Sequence, residues 1–308
     1  MKVWAVHLAT LALVAVLLVT LPPYHATNLA RILVLAVFAI GYNLAFGYTG
    51  LLSLGHALFF AAGVYGAALP VTYLGLPQLP ALIAGLVAGG IMAAAVGLLA
   101  LRTAGVSFMI VTLMFAQAGY LTLLYFGPVT GGDEGLVMPD AASLLPGLSP
   151  DAARASISFT LFSAALIASL ALVQSRFGRT MVAMRENEER SRMLGYDPFA
   201  VKLAALALSG LFSGAAGAAY ALLFGYAGAS FGTIQYSILP MLWVLMGGAG
   251  TVLGPLIGTA AMFYLVDVAG SFTTATLLFV GVALVLLILF APKGILGTIR
   301  ERWLPWLP

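Results

Sequence analysis

Nine apolar runs, most of them near twenty residues, fill this chain: 5–21, 29–46, 51–69, 79–101, 105–126, 156–173, 203–226, 235–268 and 272–291. Wound into a helix, a run of that length matches the ~30 Å hydrocarbon core of a bilayer, whereas barrel strands alternate over about ten residues. Charged residues make up 7% of the chain, against about 25% in soluble proteins. So few charges cannot cover a water-facing surface, which excludes a soluble enzyme and equally a disordered or fibrous chain. The expected fold is all-α: a single polytopic transmembrane bundle over 1–308, with about eight to ten spans.

Other chemistries fall away quickly. The sequence has no cysteine, hence no disulfide, thiolate metal site or cysteine nucleophile. His7, His25 and His56 are scattered and form no ligand cluster, so no metal and no cofactor are expected. A net charge of +3 calls for no nucleic acid; it fits a membrane protein in contact with lipid. Met1-Lys2 and the apolar run to Leu21, closed by Pro22-Pro23, read as a retained first span. The run is longer than a signal core, and no small-x-small cleavage site follows closely.

The charges that exist are clustered. Ten lie in 174–202, five in 127–155 and four in the tail from Lys293, leaving only Lys2, Arg31, Arg102 and Asp267 elsewhere. Arg176, Arg179, Arg185, Arg190, Arg192 and Lys202 in one short loop, against Arg154 alone in the other, fix the orientation by the positive-inside rule. Loop 174–202 and both termini are therefore expected in the cytoplasm, and loop 127–155, with Asp133, Glu134 and Asp140, outside.

Lys202 and Lys293 both belong inside, yet three apolar runs separate them, so one run must be broken. The candidate is 235–268, interrupted by Gly247-Gly248-Ala249-Gly250-Thr251-Val252-Leu253-Gly254-Pro255. Glycine and proline at that density end helices. Two short helices are expected, either crossing twice or forming a re-entrant hairpin. Small residues recur in four-residue steps in 203–226 (Ser209, Ser213, Gly217, with Gly210, Gly214 and Ala218) and at Gly85 and Gly89. Such ladders let helix backbones approach closely, and packing is their expected role.

The polar stretch 178–195 suits a short helix over 179–194, with Gly195 as C-cap and Asp197-Pro198 opening the next helix. A solvated loop helix is one reading. The other is a docking helix for a cytoplasmic partner, with Met181, Met184 and Met193 as adaptable contacts. Glu189-Arg190-Ser191, followed by Gly195, has the Glu-x-x-x-x-x-Gly frame of the coupling loop of ABC importer permeases, with Arg and Ser where that pattern has alanines.

Two further segments carry a resemblance to one family. Gly47-Tyr48-Thr49-Gly50-Leu51-Leu52-Ser53-Leu54-Gly55-His56-Ala57-Leu58-Phe59-Phe60 resembles the N-terminal signature of branched-chain amino acid permeases, and Thr130-Gly131-Gly132-Asp133-Glu134-Gly135-Leu136 their external loop motif. Segment 247–255 and Phe290-Ala291-Pro292-Lys293-Gly294-Ile295-Leu296-Gly297 are similar to the same family, in the same order. The resemblance is to the LivM type of subunit in a bacterial-type inner membrane. It implies a second related permease as heterodimer partner, two cytoplasmic ATP-binding subunits, which would hold the ATP, and an extracytoplasmic substrate-binding protein. It also implies that Arg185, Glu186, Glu189 and Gly195 couple to the ATPase. The scaffold serves leucine, isoleucine and valine, and relatives serve urea or other small amides.

Rival readings are weaker. Ser53 and His56, at i and i+3, are expected on one helical face, but no acid or oxyanion donor set accompanies them, so no catalytic residue is assigned. An ion-coupled secondary transporter suits the broken helix, but coupling usually needs ionisable groups inside the membrane. Arg31, Arg102 and Asp267 all fall near span ends, where snorkelling is cheap. The chain has no Gly-x-x-x-x-Gly-Lys-[Ser/Thr] phosphate loop. Asn43, Tyr48, Ser53, His56 and Gln117 are the neutral polar and aromatic candidates for lining a path, or else for bonding helix to helix.

Overall fold

A computed structural model describes residues 2–138, 147, 149–272 and 276–302. Asp140 of the expected outer loop, and tail residues 303–308, lie outside the described residues. In chain order the helices are α1 (Lys2–Thr20), α2 (Pro23–Asn43, prolonged by a π-helical turn, Leu44–Tyr48), α3 (His56–Leu74), α4 (Gln78–Ala100) and α5 (Gly105–Tyr125). There follow α6 (Gly127–Thr130), α7 (Pro150–Gln174), α8 (Arg176–Glu186), α9 (Glu188–Met193), α10 (Pro198–Phe224), α11 (Ile234–Gly247), α12 (Gly254–Phe272), α13 (Thr276–Phe290) and α14 (Gly294–Arg302). Eight of them, α1, α2, α3, α4, α5, α7, α10 and α12, are long and apolar enough to cross a membrane. The only sheet among the described residues is a two-residue ladder, β1 (Leu136–Val137) antiparallel to β2 (Tyr226–Ala227). The chain is a polytopic helical membrane bundle, as its apolar runs require.

The bundle has two unlike ends. Arg102, α8, α9, the α11–α12 turn and α14 gather at a basic end. Asp133, Glu134, α6 and the β1–β2 ladder mark the opposite, acidic end. Tyr24 opening α2, Tyr73 closing α3 and Tyr125 closing α5 are exposed there, the placement of aromatic residues at a membrane–water boundary.

Packing centres on α10, which α3 and α4 flank, and small residues are the cause. A Cβ on Gly89 would lie 2.5 Å from Cα of Gly214, and one on Gly85 the same distance from Cβ of Ala218. A Cβ on Gly63 of α3 would strike the Gly214 carbonyl. Gly214 is thus the point where three helix backbones meet, and the ladder is packing, as its spacing suggests.

Two sequence expectations need correction, and one open alternative is resolved. Residues 49–55 are not helical, so the run expected to cross from 51 starts its helix only at His56. The extended segment survives inside the bundle because neighbours satisfy its backbone. Leu51 N donates to Ala45 O (2.8 Å), Leu54 N to Thr112 Oγ1 (3.1 Å) and Ala57 N to Ser237 Oγ (2.9 Å). Ser53 consequently shares no helix face with His56. Second, the helix expected over 179–194 breaks at Asn187, whose φ of −159° leaves the helical region and whose Oδ1 accepts the Arg190 N–H (2.8 Å) to cap α9. Of the two forms open to the broken segment, it takes the first and traverses the bundle twice. The 3-10 turn before α11, Ala229–Gly232, packs on Tyr120 and Leu123 near the acidic end of α5, and α11 finishes at the basic end. α12 returns. With α10 and α13 this makes an even number of traverses between Lys202 and Lys293, as their common end demands. α11 spans only about 21 Å at 1.5 Å per residue, and the 3-10 turn makes up part of the deficit.

Candidate functional site

Four segments far apart in sequence converge at the basic end. Asn43, on the last turn of α2, clasps the α11–α12 turn from both sides: its Nδ2 donates to Thr251 O (2.9 Å) and its Oδ1 accepts from Gly250 N (2.9 Å). Gly47 lies so close beneath this clasp that a Cβ there would collide with Asn43 Oδ1 and stand 2.5 Å from Gly250 N. Arg185 of α8 reaches in and donates from a guanidinium nitrogen to Gly47 O. Arg300 of α14 donates to Gly250 O (3.2 Å). Thr251 Oγ1 closes its own turn on Gly248 O (2.7 Å), and a Cβ on Gly248 would lie 2.7 Å from Gly297 N. Two arginines therefore hold carbonyl oxygens at the ends of two interrupted helices, where the helix dipole favours a cation. Arg185 also separates two clefts, one of about 620 Å³ running to Arg102 and Lys202, the other of about 530 Å³ running to Lys293 and Glu301.

The segment carrying Arg185 faces two ways. Met181 and Met184 are buried against the bundle, whereas Met193, Leu194, Tyr196 and Phe199 are exposed. Of the three methionines expected as partner contacts, only Met193 is free to make them. Glu188, not Glu189, anchors α9, bonding Lys202 Nζ at 2.5 Å and Arg192 at 3.9 Å. Glu189 and Glu186 are exposed and make no ion pair among the described residues. Gly195 has φ +90°, with nothing within 4 Å of a Cβ built there. Asp197 Oδ1 then caps α10 by accepting Phe199 N (2.9 Å), with Pro198 at its first position.

The remaining path candidates separate. Tyr48 is buried beneath Arg185 and Arg300, its hydroxyl without a hydrogen-bond partner among the described residues. Ser53 is buried and its Oγ accepts the Gly55 N–H (3.1 Å). His56 Nε2 meets Ser209 Oγ at 2.8 Å, and the ring packs on Tyr42 (4.6 Å) and Phe59 (5.1 Å). Within this chain Asn43 and His56 bond element to element, whereas the Ser53 bond is local. Gln117 alone is exposed, on α5, of which only Phe108, Thr112 and Ala116 are buried. An apolar groove of about 700 Å³ runs beside that helix, between α3, α4 and α5.

At the acidic end, Thr130 Oγ1 donates to Leu123 O (2.6 Å), and Gly131, Gly132 and Gly135 take positive φ. The loop closes on itself through Gly135 N to Gly131 O (3.0 Å) and carries β1 against β2. Asp133 and Glu134 point out, exposed.

Known proteins are similar to this chain. A family model described as "Branched-chain amino acid transport system / permease component" matches residues 25–291. The chain belongs to that family. Among curated relatives, the permease protein LivM of the high-affinity branched-chain amino acid transport system of Escherichia coli (strain K12) is 30% identical over 295 residues, covering 86% of this chain and 68% of that protein. The LivM protein of Salmonella typhimurium (strain LT2) is 29% identical over 294 residues, with the same coverage of both. A probable LivM permease of Methanocaldococcus jannaschii is 29% identical over 152 residues, or 48% of this chain and 44% of that protein. No solved structure matches. The matched region of this branched-chain-type permease takes in the clasp, α8 and α9, and the acidic-end loop.

Several bonding residues of the permease were not legible in sequence. Arg300 reads as an ordinary positive tail residue, and Thr112, Ser209 and Ser237 as hydroxyls in apolar helices. None of the three hydroxyls left a signal, because the backbone or ring nitrogens they meet lie 58, 153 and 180 residues away.

Proposed function

We propose that this chain is one membrane-spanning subunit of an ATP-driven importer of branched-chain amino acids, moved by separate ATPase subunits at its basic end. The observation that carries the reading is the Arg185 contact. It ties α8 to Gly47 O at the interrupted end of α2, beside Gly250 of the α11–α12 turn, and the stretch that follows α8 presents the exposed Met193, Leu194, Tyr196 and Phe199. A rigid tug on α8 and α9 therefore acts on backbone at the mouth of the bundle. The basic end faces the cytoplasm of a bacterial-type inner membrane, by the positive-inside rule, and both termini lie there. Exposed Asp133 and Glu134 face a substrate-binding protein outside. The unpacked face of α5, with Gln117, lies against a second, related permease, the path running between them. Two ATP-binding subunits complete the assembly, and the chain itself performs no catalysis.

Orientation is checked with single cysteines in this cysteine-free chain. Asp133→Cys should react with an impermeant maleimide in sealed right-side-out vesicles, and Glu186→Cys only after permeabilisation. Reaction of Glu186→Cys in sealed vesicles would reverse the orientation and remove α8 from any ATPase.

Docking is checked at Gly195 and Glu189. A side chain at φ +90° strains the backbone by roughly 1 kcal/mol, which a large bundle tolerates but a short docked helix does not. Gly195→Val and Glu189→Ala should insert normally and weaken co-purification of the ATPase, Gly195→Val more severely. Wild-type transport by a Gly195→Val complex would make α9 an ordinary solvated helix.

A further inference from the structure

Under the acidic-end loop, hydrogen-bond donors outnumber acceptors. Asn28 and Arg31 stand three residues apart on α2 and so share a face. Asn28 Nδ2 and Arg31 Nε are both buried and have no hydrogen-bond partner among the described residues. The Arg31 guanidinium lies over the Phe224 ring, 4.9 Å from its centre. Among the described residues no carboxylate pairs with it. Tyr220 and Tyr236 are its electrostatic neighbours, and among the described residues neither hydroxyl is hydrogen-bonded. Their rings pack on Phe231, with centres at 5.3 and 5.1 Å, and Phe60 and Tyr226 complete the cluster. The buried hydroxyl of Tyr65, on α3, is also unpartnered. The acidic-end loop is fitted to this cluster: Ala229 N, in the turn that carries Phe231, faces Gly132 O at 3.5 Å, and a Cβ on Gly135 would lie 2.6 Å from the Tyr226 ring.

A half-buried guanidinium without an anion is costly in a low-dielectric setting. The amide and guanidinium nitrogens can only donate, and the tyrosine hydroxyls can donate beside them, so an acceptor with negative charge is the partner that fits the cluster. The aromatic faces alongside suit an ammonium by cation–π attraction, and an aliphatic side chain by apolar contact. We propose that Arg31 and Asn28, with Tyr220 and Tyr236, receive the α-carboxylate of a zwitterionic amino acid as it leaves the binding protein. The proposal rests on the importer function and deepens it by assigning a first station in the membrane. A lipid phosphate presents the same acceptor oxygens, and the test separates the two.

The complete importer, with both permeases, ATPases and binding protein, is purified carrying Arg31→Gln, Arg31→Lys or Asn28→Ala. Initial leucine uptake into proteoliposomes is measured at limiting leucine-loaded binding protein, and the phospholipid retained through purification is quantified. Arg31→Gln should lower uptake by roughly ten- to a hundred-fold, the loss expected when a charge-assisted hydrogen bond to a bound anion disappears. Arg31→Lys should recover part of it, Asn28→Ala should show a smaller loss, and retained phospholipid should not change. Wild-type uptake by Arg31→Gln would overturn the proposal. So would a loss of uptake that tracks a loss of retained phospholipid, which would assign the site to a lipid phosphate. If Arg31→Gln does not assemble, Arg31→Lys and Asn28→Ala decide by the same two readouts. Absence of ATP-driven leucine uptake by the unsubstituted importer would overturn the importer function itself, a failure separate from that of the site.

Discussion

Arg185→Ala should leave the importer assembled but reduce the leucine carried per ATP hydrolysed by about ten-fold or more, the effect of losing a hydrogen bond from a charged donor. The guanidinium holds Gly47 O at the end of the π-helical turn and lies beside Gly250. Without it, α8 keeps its buried Met181 and Met184 and stays folded. What it loses is its grip on the interrupted end of α2, so hydrolysis proceeds with less movement behind it. Arg185→Lys should restore part of the coupling, because an ammonium satisfies one carbonyl but lacks the planar fork. Parallel measurement of uptake and phosphate release in proteoliposomes gives the ratio directly. An unchanged ratio in Arg185→Ala would mean that force reaches the bundle by another route.

A larger effect, and an opposite kind of failure, is expected at Gly214. Three backbones meet there, and a Cβ on this residue would lie 2.8 Å from Gly89 Cα and 2.7 Å from Gly85 O. These are backbone atoms, so no flexible side chain can move aside. Gly214→Leu must push α4 off α10, which forfeits close packing along both helices rather than at one point. The expected result is loss of properly folded permease from the membrane, seen as a collapse of the monodisperse peak in detergent. Gly281→Leu is the matched control: a Cβ there meets nothing within 4 Å, and the yield should be unchanged. Normal yield of Gly214→Leu would contradict the packing role of the small-residue ladder.

Much of this architecture was legible beforehand, for physical reasons. A bilayer admits only helices that satisfy their own backbone, so run length and charge placement determine spans and ends almost without regard to side-chain detail. The break at Gly247–Pro255 followed from glycine and proline density plus the common side of Lys202 and Lys293. The break at 49–55 did not follow, because its residues are apolar and its backbone partners, Thr112 and Ser237, lie 58 and 180 residues away. Hydropathy does not register a hydrogen bond across that distance. Asn187 did leave a signal, an N-cap residue followed by Glu188 and Glu189 in the first turn of α9, but the surrounding charge pattern suited one unbroken helix equally well. Asn43 shows a different limit. A buried amide in a membrane helix must find partners, and composition does not say whether they are substrate or backbone; here both of its ends are taken by the α11–α12 turn.

The most direct test of the importer function is uptake of leucine into proteoliposomes containing either this chain alone or the full assembly. The full assembly should accumulate leucine only when ATP is present on the side of the basic end and the binding protein on the other. The chain alone should neither hydrolyse ATP nor concentrate leucine under a sodium or proton gradient. Gradient-driven accumulation by the single chain, abolished by an ionophore, would contradict an ATP-driven permease and make the broken α11–α12 hairpin the centre of a secondary transporter.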